Sequence, residues 1–170
     1  MDSKQITNIL TKNKATQPYF IGCFINNNIP IQLLVNNAGD FFIIVNTITN
    51  VAKMGHWILF FMRNRELLFF DSFGLHPEVY NGSIYKFYCA YPGRKRIITN
   101  SALQNKFSLV CGAYVIYVGF MLSTNRSLCT TFSKFSSNTC KNDRFVVRFL
   151  YNVASIVLSC NDNLCTISNV

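Results

Sequence analysis

Three apolar runs crowd into residues 41–71 and constrain every other choice the chain can make. Phe41 to Asn46 reads FFIIVN, Trp57 to Met62 reads WILFFM, and Leu67 to Asp71 reads LLFFD. The last two are separated only by the tight polar turn Arg63-Asn64-Arg65-Glu66, which makes them a β-hairpin. A half-solvated strand alternates apolar and polar residues; these strands do not, so both faces of their sheet are expected to be covered. His56 stands at the start of one hairpin strand and Asp71 at the end of its neighbour. In an antiparallel pair those positions share one end of the sheet. An imidazole and a carboxylate placed there can form the orienting hydrogen bond of a Cys–His–Asp relay.

A thiol for that relay lies further on, in Gln104 to Gly119, QNKFSLVCGAYVIYVG. Cys111 precedes a glycine and an apolar run, and reads as the first turn of a buried helix ending near Ser123. A thiol there meets unpaired backbone N–H groups and the positive end of the helix dipole, both of which favour thiolate. Gly112 lets another segment approach the sulfur closely. Gln104 can direct an amide N–H toward a developing oxyanion, beside the backbone N–H of Cys111. Most lone cysteines in apolar helices are small buried hydrophobes; what sets Cys111 apart is the order His56, Asp71, Gln104, Cys111. Simple papain-like enzymes place the Cys first and the His later, so this order argues against that group.

The 170 residues suffice for a single domain over 1–170 with a real core, and 50% hydrophobic content excludes a disordered chain. The longest apolar run, 107–122, falls short of the roughly 20 residues a membrane span needs. The seven cysteines, Cys23, Cys89, Cys111, Cys129, Cys140, Cys160 and Cys165, form no CxxC pair, which speaks against a zinc ribbon or a thioredoxin-type site. No signal-peptide core precedes residue 14, so an intracellular, reducing environment with mostly free thiols is expected, Cys129–Cys140 and Cys160–Cys165 being the candidate local disulfides. A net charge of +9 points to an anionic partner, either nucleic acid bound without sequence reading or a membrane surface, or else to a basic surface that serves solubility. Arg94, Lys95 and Arg96, in a basic turn after Tyr91-Pro92-Gly93, are the candidate contacts.

The remaining segments read as follows. Ser3 to Asn13 is a short helix capped by Ser3, with Ile6, Ile9 and Leu10 on one face. Gln17 to Gly22 is extended. Residues 26–30, 36–40 and 49–55 are loops. His76 lies in a surface loop, 78–87 is a weak helix or extended, and 97–99 is a short strand. Thr124 to Asn142 is a polar loop, and Asn142 or Asp143 caps a last helix over 144–158. The tail after Cys160 is frayed.

Taken together, the motifs resemble the adenovirus endopeptidase (adenain-like) family of cysteine proteases, found in adenoviruses and Maverick/Polinton-type elements. Pro18-Tyr19-Phe20-Ile21-Gly22 is similar to that family's PYFLG segment, and Ile44-Val45-Asn46-Thr47 to its IVNT strand. Gly55-His56-Trp57 resembles its HW pair. Phe70-Asp71-Ser72-Phe73-Gly74 resembles its FEPFG, with Asp in place of Glu. Gln104 keeps the family's seven-residue distance to Cys111-Gly112. The match covers about residues 17–122.

This resemblance implies an α+β fold of the ubiquitin-like-protease clan, with a central, mostly antiparallel sheet and the nucleophile on a buried helix. It implies that Cys111 attacks the scissile carbonyl and forms a thioester, that His56 shuttles the proton, that Asp71 orients His56, and that Gln104 with the Cys111 N–H forms the oxyanion hole. No metal or cofactor is needed for that chemistry. The expected substrates are viral precursor proteins cleaved during particle maturation, in the virion and in the nucleus or viral factory of the infected cell. A monomer with no membrane partner is expected, and DNA stimulation fits the charge. The family's disulfide-linked peptide activator fits poorly, because Arg94-Lys95-Arg96 stand where its linking cysteine would be. Two alternatives remain: a deubiquitinase or deSUMOylase of the same clan, or a non-catalytic DNA-binding, capsid-associated protein. Clan deubiquitinases typically carry Asp directly before the nucleophile, where this chain has Val110.

Overall fold

The apolar runs form the middle of one sheet. The computed structural model describes residues 1–48 and 55–162. Strands β2 (Phe41–Asn46), β3 (Trp57–Arg63) and β4 (Glu66–Phe70) are antiparallel neighbours, with Phe42 opposite Phe61 and Phe60 opposite Phe69. The β3–β4 turn puts both central residues, Asn64 (φ 49°) and Arg65 (φ 62°), in the left-handed region. A two-residue type I′ hairpin needs that conformation, and its twist matches the strands it joins.

Two edge strands complete the sheet in the order β1-β2-β3-β4-β5. β1 (Phe20–Ile25) runs parallel to β2, and β5 (Arg94–Ile97) runs parallel to β4. Parallel neighbours require a crossover, and short helices supply both: α2 (Ile31–Val35) between β1 and β2, and α3 (Ser83–Ala90) between β4 and β5. Leu34, Ile84 and Phe87 of these helices share a core with Phe41, Ile43, Ile58, Phe60, Leu67 and Phe69. The alternate residues Phe42, Ile44, Leu59, Phe61, Leu68 and Phe70 pack with α4 (Cys111–Ser123) on the opposite face. Both faces are thus covered, as the unbroken apolar strands require. The architecture is the expected α+β one, a mixed sheet with an antiparallel centre and a buried helix beneath it.

α4 is apolar all round, and 111–119 are buried without interruption. A helix of that kind belongs in a core. No helix among the described residues is long and apolar enough to cross a membrane. α4 packs tightly on the sheet at Gly119, where a Cβ would lie 3.0 Å from Phe42 and 3.4 Å from Leu59. Gly119→Val is therefore expected to overpack this contact and cost about 1–3 kcal/mol, read as a lower denaturant midpoint at unchanged m-value.

Several sequence expectations are corrected. α1 spans Ser3–Lys12, but its cap is Asp2: the Asp2 carboxylate accepts from Gln5 N (2.8 Å) while the Gln5 side chain accepts from Asp2 N (3.0 Å). This reciprocal box uses two otherwise orphaned donors, which Ser3 could not match. Segment 78–87 resolves into a 3-10 turn at Pro77–Val79 followed by α3. Region 124–142 is not a plain loop; it holds α5 (Leu128–Phe132), capped by Ser127, and the first turn of α6 (Thr139–Asp162). Asn142 and Asp143 lie inside α6 rather than capping it. The basic triplet is no turn either. It is strand β5, where alternation leaves Arg94 and Arg96 exposed and turns the half-buried Lys95 to the other face, 6.0 Å from the Tyr88 ring. Cys129 and Cys140 are both free. The expected loop at 49–55 lies outside the described residues except for Gly55; of the tail expected to fray after Cys160, residues 161–162 belong to α6 and the rest lies outside them, as do the side chains of Cys160 and Cys165.

Candidate active site

Four sequence candidates come together at one end of the sheet. His56 immediately precedes β3 and Asp71 immediately follows β4, so the hairpin register delivers both to the same edge. His56 Nε2 lies 2.7 Å from Asp71 Oδ1. Cys111, the first residue of α4, lines the same cleft and is close enough to His56 for the two to shift each other's titration. With Nε2 committed to Asp71, that leaves Nδ1 for the sulfur. The second histidine, His76, is half-exposed beside Glu78, as expected of a surface loop.

The electrostatics of the three groups are coupled. Burial alone would push the His56 imidazole down, but the hydrogen bonds to Asp71 and Cys111 and the charge of both drive it up to about 9. Burial would push the Cys111 thiol up, yet it is lowered. The causes are His56, through hydrogen bond and charge, and the backbone N–H groups of Trp57 and Gly112. Each group thus favours the charged form of the other, thiolate on Cys111 and imidazolium on His56. Val110 at the N-cap offers no capping side chain; with Ala113 N bonded to Val110 O, the Cys111 and Gly112 N–H groups are left to such an anion. Cys23 is the contrast: it faces the same cleft, but burial pushes it up to about 11, and the hydrogen bond with Thr7 offsets only part of that rise.

Asp71 is fully buried and multiply held. Its Oδ1 also accepts from Phe73 N (2.7 Å), and its Oδ2 accepts the Tyr80 hydroxyl. Burial, then the Asp71 charge and hydrogen bond, push the Tyr80 phenol far up, so it stays a donor. The Phe73 ring lies against the imidazole at 4.6 Å between centroids. Sequence reasoning missed Tyr80, because nothing in the chain marks a tyrosine nine residues past the acid as its partner.

Gln104 is 2% exposed and lines the same cleft as Cys111 and His56. Its Nε2 donates to Ser108 O (2.9 Å) and its Oε1 accepts the Ser72 hydroxyl (2.7 Å). The segment around it is tied to α6. Asn142 Nδ2 donates to Leu103 O (3.0 Å), Asp143 Oδ1 accepts from Asn105 N (3.4 Å), and Tyr114 OH bridges Leu103 O and Asp143 (2.9 Å each). The polar pair expected to cap a helix thus braces the Gln104 segment instead.

The cleft holds about 910 Å³. Trp57 walls it as expected, buried, with its Nε1 donating to Met1 O (3.1 Å). Gly112 also allows the close approach expected of it, since a Cβ there would sit 3.1 Å from the Met1 side chain. Lys106 and Leu109 also line it. Arg94, Lys95 and Arg96 do not line this cleft; Arg94 pairs with Glu66 at 3.5 Å.

A mixed sheet with His and acid at one end and a cysteine heading the helix beneath it is the fold of the ubiquitin-like-protease clan. Among solved structures, the chain is similar to the Chlamydia trachomatis effector protein Cdu1 bound to ubiquitin, with a TM-score of 0.64 at 14% identity over 93% of each chain. It is similar to the C. trachomatis effector ChlaDUB1, with a TM-score of 0.65 at 14% identity over 93% of this chain and 85% of that one. It also resembles the ASFV protease, with a TM-score of 0.54 at 17% identity over 82% of this chain and 64% of that one. At these identities the likeness is one of fold. No protein-family model matches the sequence, and no curated protein sequence matches it significantly.

Proposed function

We propose that this protein is a cysteine endopeptidase of the adenain-like branch. The observation that carries the reading is His56 set between the buried Asp71 carboxylate and Cys111, whose thiol it lowers, at the head of α4 in the lining of an open cleft. The thiolate attacks the scissile carbonyl carbon. The C–S bond forms, and the negative charge passes to the carbonyl oxygen, which faces the Cys111 N–H and the Gln104 amide. His56 gives its proton to the leaving amine as the C–N bond breaks, leaving a thioester. Water, deprotonated by His56, then hydrolyses the thioester and releases Cys111.

The proposed substrates are precursor proteins cut during virus-particle maturation, in keeping with the adenain-like order of motifs. DNA is the proposed stimulating anion, meeting Arg94 and Arg96 on the exposed edge of β5. One observation favours a second reading: Cdu1 was solved bound to ubiquitin, and its fold aligns over nearly the whole chain. Val110, where the clan's deubiquitinases typically carry Asp, weighs against it. The test is hydrolysis of Gly-containing peptide substrates beside ubiquitin and SUMO fluorogenic conjugates, with and without DNA. Peptide cleavage that disappears in Cys111→Ala supports the endopeptidase. Release from ubiquitin or SUMO without peptide cleavage would establish the second reading.

A further inference from the structure

We propose that Ser72 is a positioning residue that holds the Gln104 amide with its N–H end available to the cleft. This rests on the peptidase reading above. A glutamine amide is nearly symmetric in shape but opposite in charge at its two ends, so its orientation decides whether an oxyanion meets a donor or a lone pair. The Ser108 carbonyl can only accept, so the nitrogen end must face it, at 2.9 Å. An amide nitrogen carries two hydrogens, and one remains for the cleft. The oxygen end then needs a donor, and Ser72 Oγ supplies it at 2.7 Å from a fully buried position. Without that hydroxyl, Oε1 has lost its donor in a dry pocket. The amide then gains by swinging Oε1 toward cleft water, which withdraws the N–H.

The backbone reinforces the clamp. Ser72 O accepts from both Leu103 N (2.8 Å) and Gln104 N (3.0 Å). Ser72 directly follows Asp71, whose own carbonyl accepts the Thr99 hydroxyl at 2.8 Å. The residue after the acid thus fixes the distance between the His-orienting arm and the oxyanion arm.

Two reagents separate this role from a merely structural one. Iodoacetamide alkylation of Cys111 needs the thiolate alone. Acylation by p-nitrophenyl acetate passes through a tetrahedral oxyanion, and neither reagent requires a peptide substrate. The ratio of acylation to alkylation rate is expected to fall on the order of 10²-fold in Gln104→Ala and on the order of tenfold in Ser72→Ala, with alkylation unchanged in both. In Ser72→Ala/Gln104→Ala the ratio should equal that of Gln104→Ala within about twofold, because Ser72 acts only through Gln104. Ser72→Thr, which keeps the hydroxyl, should restore the ratio. An unchanged ratio in Ser72→Ala, a further fall in the double variant, or loss of alkylation in Ser72→Ala would overturn the proposal. Fast alkylation with no effect of Gln104→Ala would remove the oxyanion role and this proposal with it, while leaving the nucleophile. Slow alkylation of wild-type Cys111 would instead remove the peptidase reading.

Discussion

His56→Ala is expected to lower peptide hydrolysis by on the order of 10⁴-fold or more, since members of a catalytic unit fail together. The physical reason is specific to this site. Burial works against the Cys111 thiolate, and the imidazole is the largest influence opposing it, aided by the Trp57 and Gly112 N–H groups. Without His56 the burial is opposed by backbone alone, so the thiol rises. The sign follows: a lowered thiol keeps its thiolate as pH falls below the usual thiol range, and the variant does not. Alkylation of Cys111 near about pH 6 should therefore drop by roughly tenfold for each unit that its pKa rises. A kcat loss without that drop would mean that His56 serves only the later proton transfer.

Asp71→Asn is expected to cost on the order of 10³–10⁴-fold in kcat and, separately, about 1–3 kcal/mol of stability. Asp71 is fully buried and accepts from three directions: the His56 ring, Phe73 N and the Tyr80 hydroxyl. An asparagine of the same shape has one accepting end and one donating end, so at least one of these donors faces an N–H₂. If His56 loses out, the ring is no longer fixed with Nδ1 toward Cys111, and it also loses the carboxylate that raises it to about 9. Circular dichroism and a denaturant titration measure the stability part, and kcat at saturating substrate measures the catalytic part. Tyr80→Phe removes a single donor to Asp71 and should show a smaller version of both effects.

The centre of the fold was legible because its physics is local. Unbroken apolar strands demand two covered faces, and the short Arg63–Glu66 turn sets the register that brings His56 and Asp71 together. The position of Cys111 at a helix start followed from one glycine and one apolar run. The misreadings fall where tertiary contacts override local signals. Asn142 and Asp143 have the chemistry of caps, yet their side chains reach residues 103, 105 and 114 instead. Arg94-Lys95-Arg96 lack a strand's usual residues and become one because β4 offers an unpaired edge. The Tyr80–Asp71 and Ser72–Gln104 bonds join groups whose proximity no periodicity encodes.

The most direct measurement is alkylation of the purified protein near about pH 6, followed by peptide mapping of the labelled cysteines. With its thiol lowered by His56, Cys111 should label well ahead of Cys23, whose thiol burial pushes up to about 11, and ahead of the exposed Cys89, Cys129 and Cys140. Labelling of Cys111 no faster than the exposed cysteines would contradict the ion pair, and with it the reading of this site as a cysteine peptidase.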